Sequence, residues 1–340
     1  FEHFAEAWPG GPLEGAFGDA NPAEQSLRRW LVHERDRDRP AFVFVNLIRP
    51  HMPYYPRWED ARPFFADRET WQAALERYSS GGPRALFERH YAGLEPLDAT
   101  EWQRVGALYD GELRQVDTLV RRMLADLERN AAGREPLVLI VSDHGENLGD
   151  HGHSSHMFDL GEPLTRVLLL ARGPGFVAGA VDYRLAQLTD VYPTLLAAAG
   201  VEVSPGPGQD LRDDPDPDRL LLARVAFPRR WLANFTPGIV ESGVLAAYER
   251  ALWAAWDGRY KLVVGSDGSE SLYDLEADPQ ELRPLPPEAL PRAVLERLRA
   301  RVAASLAIDD GLSSGADSDA GAGEMDPATL EALRSLGYVR

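Results

Sequence analysis

Ser142-Asp143-His144-Gly145-Glu146-Asn147-Leu148-Gly149-Asp150-His151-Gly152-His153-Ser154-Ser155-His156 holds four of the chain's eight histidines and three carboxylates within fifteen residues. Aspartate offers a hard anionic oxygen and imidazole a borderline nitrogen, so Asp143-His144 suits a divalent cation such as Ca²⁺, Mg²⁺, Mn²⁺ or Zn²⁺. An isolated Asp-His-Gly would be as well explained by helix capping, because Asp at a strand-to-helix turn is a favoured N-cap. The neighbouring histidines weigh toward a metal. Gly149 and Gly152 allow the loop to double back, which would bring His156 to the same centre. His151 and His153 read as loop-fixing or solvated.

The elements that position these groups are legible around them. Leu137-Val138-Leu139-Ile140-Val141 reads as a buried parallel strand emptying into the His-rich loop. In open α/β sheets, ligands bind outside the carboxyl ends of such strands. Ala41-Phe42-Val43-Phe44-Val45-Asn46-Leu47-Ile48 reads as a second buried strand, ended by Arg49-Pro50-His51-Met52-Pro53-Tyr54. His51 would then stand on the same sheet edge as Asp143, where a general acid or base is more plausible than a purely structural role. If the two strands are parallel members of one sheet, His51 and Asp143 lie within about 10–12 Å, and His51 and His156 face one cleft.

Asn21-Pro22-Ala23-Glu24 is a helix start, residues 57–97 carry short helical pieces, and a long amphipathic helix spans Glu101 to Asn130, with Val116, Leu119, Val120, Met123, Leu124 and Leu127 on one face. A further strand is expected at 166–170 and a helix at 188–199, which is the α/β order. Tyr109, Arg114 and Asp117 lie on the long helix, with Arg114 and Asp117 spaced for a surface pair. Asp190 reads as a helix-start residue, and Lys261, the lone lysine, as a strand lysine that snorkels. Beyond about residue 205 the pattern changes to short strands followed by a helix at 291–305. Trp253, Trp256, Tyr260 and Tyr273 are expected in the core of that part. The expected organisation is an α/β domain over 1–205, a smaller α+β subdomain over 206–308, a flexible linker over 309–325 and a C-terminal helix over 326–340.

Composition excludes several classes. The 340 residues are ample for a large core, and the net charge of −18 argues against duplex nucleic acid as a partner. There is no cysteine, hence no disulfide, thiolate zinc site or cysteine nucleophile in these residues. No apolar stretch approaches the ~18–20 residues of a membrane span. Compartment and oligomeric state have no signature here.

Taken together, Arg49-Pro50-His51-Met52-Pro53-Tyr54, Ser142 through Gly152, Arg166-Val167 through Gly173-Pro174-Gly175, and Thr189 to Gly200 resemble, in order, the motifs of the sulfatase family of the alkaline-phosphatase superfamily. Asp257-Gly258-Arg259-Tyr260-Lys261-Leu262 and Leu272-Tyr273-Asp274-Leu275 through Pro279 resemble its C-terminal signature. The resemblance implies an alkaline-phosphatase-like α/β fold, with a central, mostly parallel sheet flanked by helices and a smaller C-terminal α+β subdomain. It implies hydrolysis of a small-molecule or glycan sulfate ester, with Asp143 and His144 as ligands of a divalent metal. Ca²⁺ is the usual ion, with Mn²⁺ and Mg²⁺ as alternatives. His51 and His156 would contact the sulfate and the leaving-group oxygen. Histidine at both 144 and 156 also occurs in the related phosphonate monoester and phosphodiester hydrolases, which form the alternative. The family nucleophile is a formylglycine made in a Cys/Ser-x-Pro-x-Arg motif, and no such motif occurs here. The expectation is a fragment lacking the N-terminal nucleophile segment and inactive alone; a non-catalytic metal-binding protein is the rival from another class.

Overall fold

The computed structural model describes residues 21–313, apart from Gly81, Ala132, Val203, Pro205, Phe227 and Asn234. Residues 1–20, the C-terminal helix and the linker beyond residue 313 lie outside the described residues. The chain forms two compact units, which divide between Pro136 and Leu137.

In the first unit Asn21 caps helix α1 (Pro22–Arg29), accepting hydrogen bonds from the backbone of Ala23 and Glu24. Pro22 takes the first helical position, where a missing N–H leaves nothing unpaired. Short helices α2 (Trp58–Ala61), α3 (Arg68–Leu75) and α4 (Pro83–Tyr91) fill the stretch before the long α5 (Ala99–Arg129). A capping box of Asp98 and Glu101 starts α5, two residues ahead of the apolar periodicity that foretold it. Its buried stripe includes Val105, Leu108, Glu112, Leu119 and Met123, the spacing of one helical face. Leu27 and Leu31 pack on Leu119 and Met123. Burying a side chain of this size is worth roughly 1.5–3 kcal/mol. Asp117 pairs with Arg121 rather than with Arg114.

The strand expected at 41–48 does not form. The segment has no regular structure or ladder partner among the described residues. Its apolar residues divide instead: Val43 and Leu47 pack against the α1–α5 core, while Phe42 and Phe44 are exposed. A run of β-branched and aromatic residues supplies the propensity for a strand, but only a neighbouring strand supplies the hydrogen bonds.

The second unit opens with β1 (Val138–Val141), followed by a small hairpin of β2 (Asn147–Leu148) and β3 (Ser154–Ser155). Helix α6 (Glu162–Thr165) leads to β4 (Leu169–Arg172). β4 pairs with β1 antiparallel, with Ile140 opposite Leu170, where the sequence had pointed to a parallel strand. The cause is local: the connection spends its length on the hairpin and returns to the same end of β1. There the Ser142 N–H donates to the Leu168 carbonyl (3.1 Å) and the Leu168 N–H to Ser142 Oγ (2.9 Å). A parallel neighbour would require a crossover to the opposite end.

After α7 (Val191–Ala198) come β5 (Leu221–Val225), the short helices α8 (Pro228–Leu232) and α9 (Pro237–Glu241), and the strands β6 (Leu252–Trp256), β7 (Tyr260–Gly265) and β8 (Glu270–Asp274). β5 to β8 form an antiparallel sheet in sequence order. Helix α10 (Arg292–Ser313), which extends past the expected linker start at 309, packs Leu295, Leu298 and Val302 on one face against Trp253, Leu262 and Leu272. On the other face Leu160 packs with Leu252, Ala254 and Trp256. That contact, and a buried ion pair between Asp190 and Arg219 (2.6 Å), tie 137–204 to the later strands. The boundary expected near residue 205 therefore falls inside this unit. Asp190 is more than a helix start: it is fully buried and also accepts from the backbone of Gln187 and Gln209.

Candidate active site

The His-rich loop is built from β1 and the hairpin. Gly149 (φ 104°) and Gly152 (φ 75°) turn the chain where a side chain would be strained, and the pairs Asn147↔Ser155 and Leu148↔Ser154 bring it back. His156 thereby returns to His144, and the two rings stack with centroids 4.1 Å apart. The turn itself is pinned by α6: the Gly145 N–H donates to the Leu164 carbonyl and the Glu146 N–H to that of Pro163. A Cβ at Gly145 would sit 1.9 Å from the Pro163 carbonyl oxygen, so the Asp-His-Gly turn admits no larger residue without moving α6.

His144 Nδ1 lies 2.7 Å from the Gly145 carbonyl, which can only accept. Nδ1 therefore carries the proton, and in the neutral ring Nε2 keeps its lone pair. Nε2 is 3.8 Å from Asp143 Oδ1, and the Asp143 side chain is 84% exposed. Donor atoms of His144, Glu146 and His156 all lie within 4.8 Å of one another. Glu146 Oε1 is buried without a hydrogen-bond partner among the described residues. The Asp143 carboxylate and the unprotonated Nε2 of His144 fit a divalent cation; the carboxylate suits Ca²⁺ or Mg²⁺, and the imidazole nitrogen suits a transition ion such as Mn²⁺.

His151 and His153 both lie against Asp159 within the loop. His151 Nε2–H donates to the Gln280 carbonyl (2.8 Å), and Nδ1 lies 3.7 Å from Asp159 Oδ2. His153 flanks the same carboxylate at 3.9 Å. The Asp159 carboxylate beside the ring pushes the His151 pKa up to about 9. Burial alone would raise that of Asp159, but the His151 contact and the two imidazole charges hold it low.

Lys261 does not snorkel. It is fully buried in β7, with its ammonium 2.7 Å from Glu281, 3.2 Å from Glu162 and over the Trp256 ring. Glu162 opens α6, so this buried cation and its carboxylates join the sheet to the helix that pins Gly145.

In the first unit, His51 follows segment 41–48, and its Nδ1–H donates to the Met52 carbonyl (2.6 Å). The segment is anchored on α5 by Glu112, which accepts from the Tyr55 N–H at 2.7 Å and lies 3.8 Å from Arg49. Burial outweighs both interactions and pushes the Glu112 carboxyl up to about 7. Gly111 leaves room for Pro56, whose Cβ would lie 2.7 Å from an added Cβ. The shared-sheet argument for His51 does not hold, because 41–48 is not a strand.

Glu112, Glu146 and Asp159 were not singled out from sequence. Glu146 had a readable signal: a hairpin turning at Gly149 to Gly152 that pairs 147 with 155 sets 146 opposite 156. Glu112 had none, since a carboxylate on an amphipathic helix ordinarily faces water.

A sulfatase profile matches residues 18–201, more than half of the chain. The chain belongs to the sulfatase family. It is 29% identical over 270 residues to a choline-sulfatase of Rhizobium meliloti (strain 1021), an alignment covering 76% of this chain and 49% of that protein. The chain spans about half the length of the curated relatives it matches. Among solved structures, a protein in complex with its substrate D-glucosamine-2-N,6-O-disulfate superposes with a TM-score of 0.60 at 16% identity, over 83% of this chain and 69% of the other. The phosphonate monoester hydrolase of Agrobacterium radiobacter gives 0.56 at 22% identity, over 92% and 60%. The sulfatase fold is thus the alkaline-phosphatase-like α/β class that the motifs implied.

Proposed function

We propose that the protein carrying this chain hydrolyses sulfate esters, with Asp143 and His144 holding a divalent cation, His156 acting on the ester, and His51 given its role by the motif it shares with the family. The observation that carries the reading is the return of His156 onto His144 beside Asp143, inside the stretch matched by the sulfatase profile. Ca²⁺ is the ion this reading names first, with Mn²⁺ or Mg²⁺ as alternatives. When bound, such a cation supplies charge that stabilises the sulfate oxygens. His144 presents Nε2 because the Gly145 carbonyl holds the proton on Nδ1. His156 is assigned to giving a proton to the leaving oxygen, and His51 to contacting the sulfate. The nucleophile is not assigned to these residues: a Cys/Ser-x-Pro-x-Arg motif is absent, and a formylglycine would come from sequence outside them. The substrate is a small-molecule or glycan sulfate ester.

The alternative is a phosphonate monoester or phosphodiester hydrolase, favoured by the histidine at both 144 and 156. Initial rates of the intact protein on an aryl sulfate and an aryl phosphonate monoester separate the two. A higher kcat/KM on the sulfate is expected; preference for the phosphorus ester by orders of magnitude would replace the sulfatase reading.

A further inference from the structure

We propose that Glu146 is the positioning residue of His156. The inference rests on the reading of His156 as the group that protonates the leaving oxygen. The hairpin register places Glu146 opposite His156, one pair beyond Asn147↔Ser155. Directly opposed residues of an antiparallel pair have Cβ atoms about 4.5–5.5 Å apart, close enough for their side chains to interact. Glu146 Oε2 lies 3.5 Å from His156 Nδ1, and Ser155 Oγ lies 3.3 Å from the same nitrogen. The Glu146 side chain is 5% exposed and that of His156 13%. A buried carboxylate is costly unless it is paired, and Glu146 directs one oxygen at this ring while the other has no hydrogen-bond partner among the described residues. The stacked His144 ring restrains the His156 plane from one side. Stack and carboxylate together fix the ring's tilt and its rotation.

The chemistry follows from that arrangement. With Nδ1–H directed at Glu146, the second nitrogen of protonated His156 carries the transferable proton. As the ester S–O bond breaks and sulfur passes to the nucleophile, the bonding electrons go to the leaving oxygen. The Nε2 proton goes to the same oxygen, and the ring is left neutral with Nδ1–H still on the carboxylate. Glu146 neither gains nor loses a proton; it selects which nitrogen works.

Two variants test this. Glu146→Met removes the acceptor at similar length, and Glu146→Gln keeps a carbonyl acceptor. Histidine-selective ¹⁵N labelling of the 340-residue chain, with eight imidazoles and His156 assigned through His156→Asn, reads the tautomer of the neutral ring. Wild type and Glu146→Gln should hold the proton on Nδ1, and Glu146→Met should move it to Nε2. In the intact protein, Glu146→Met should lower kcat on an alkyl sulfate by about 10–100-fold with KM unchanged. It should leave 4-nitrophenyl sulfate, whose leaving group needs no proton, nearly unaffected, and Glu146→Gln should restore most of the loss. An unchanged tautomer in Glu146→Met, or equal losses on both esters, would overturn the proposal. Loss of bound cation in Glu146→Met would also overturn it, by making Glu146 a ligand. If wild type cleaves neither ester, the sulfatase reading fails, while the tautomer still decides the pairing.

Discussion

Single residues in this chain carry more than their sequence neighbourhoods suggest, and Glu112 is the plainest case. It lies on the buried stripe of α5 among leucines and valines, beneath the segment that bears His51. Its carboxyl is pushed from the ordinary 4.5 up to about 7 by burial, against the pull of Arg49 and the Tyr55 N–H. A folded-state pKa above the unfolded one means that the native state binds the extra proton between these values. The contribution to stability is therefore present below about pH 4.5 and is lost as pH rises through 7. Glu112→Gln removes the titration and keeps an acceptor for Tyr55. Urea unfolding at pH 5 and pH 8 should show the variant gaining on wild type by on the order of 2 kcal/mol at the higher pH. An equal difference at both pH values would mean that the carboxyl titrates normally.

At the scale of elements, the loop from 142 to 156 is held from three sides: α6 against Gly145, the β2–β3 hairpin, and the His151–Asp159 contact with Gln280. The third clamp titrates. Because the folded pKa of His151 is raised to about 9 from an ordinary 6.5, its stabilisation is complete below 6.5 and disappears as pH passes 9. Asp159→Asn should return the His151 titration toward its ordinary value in an NMR pH series and flatten the dependence of Tm between pH 6.5 and 9.5. A wild-type His151 titrating at 6.5 would refute the clamp. Much of this element was legible: apolar run, two turn glycines and four histidines at short spacing encode a strand and a returning loop. Segment 41–48 was misread because a strand needs a partner that its own residues do not specify. Lys261 was misread because its carboxylates, Glu162 and Glu281, lie 99 residues before it and 20 after it. Sequence spacing reports what a residue could do locally, not which distant carboxylates will surround it.

For the molecule as a whole, the net charge of −18 opposes long-range attraction of an anionic ester. Attraction must then come from a local concentration of positive charge. Arginine supplies all the basic side chains but Lys261, and Lys261 is buried between carboxylates. On the proposed reading the sulfate is held by the cation at Asp143 and His144 and contacted by His51 and His156. Metal content and aryl sulfate hydrolysis, measured together on the intact protein and its Asp143→Ala variant, test this most directly. Wild type is expected to bind a stoichiometric divalent cation and hydrolyse the ester, and Asp143→Ala to lose both while its circular dichroism is unchanged. An Asp143→Ala protein that retains stoichiometric cation and wild-type turnover would contradict it.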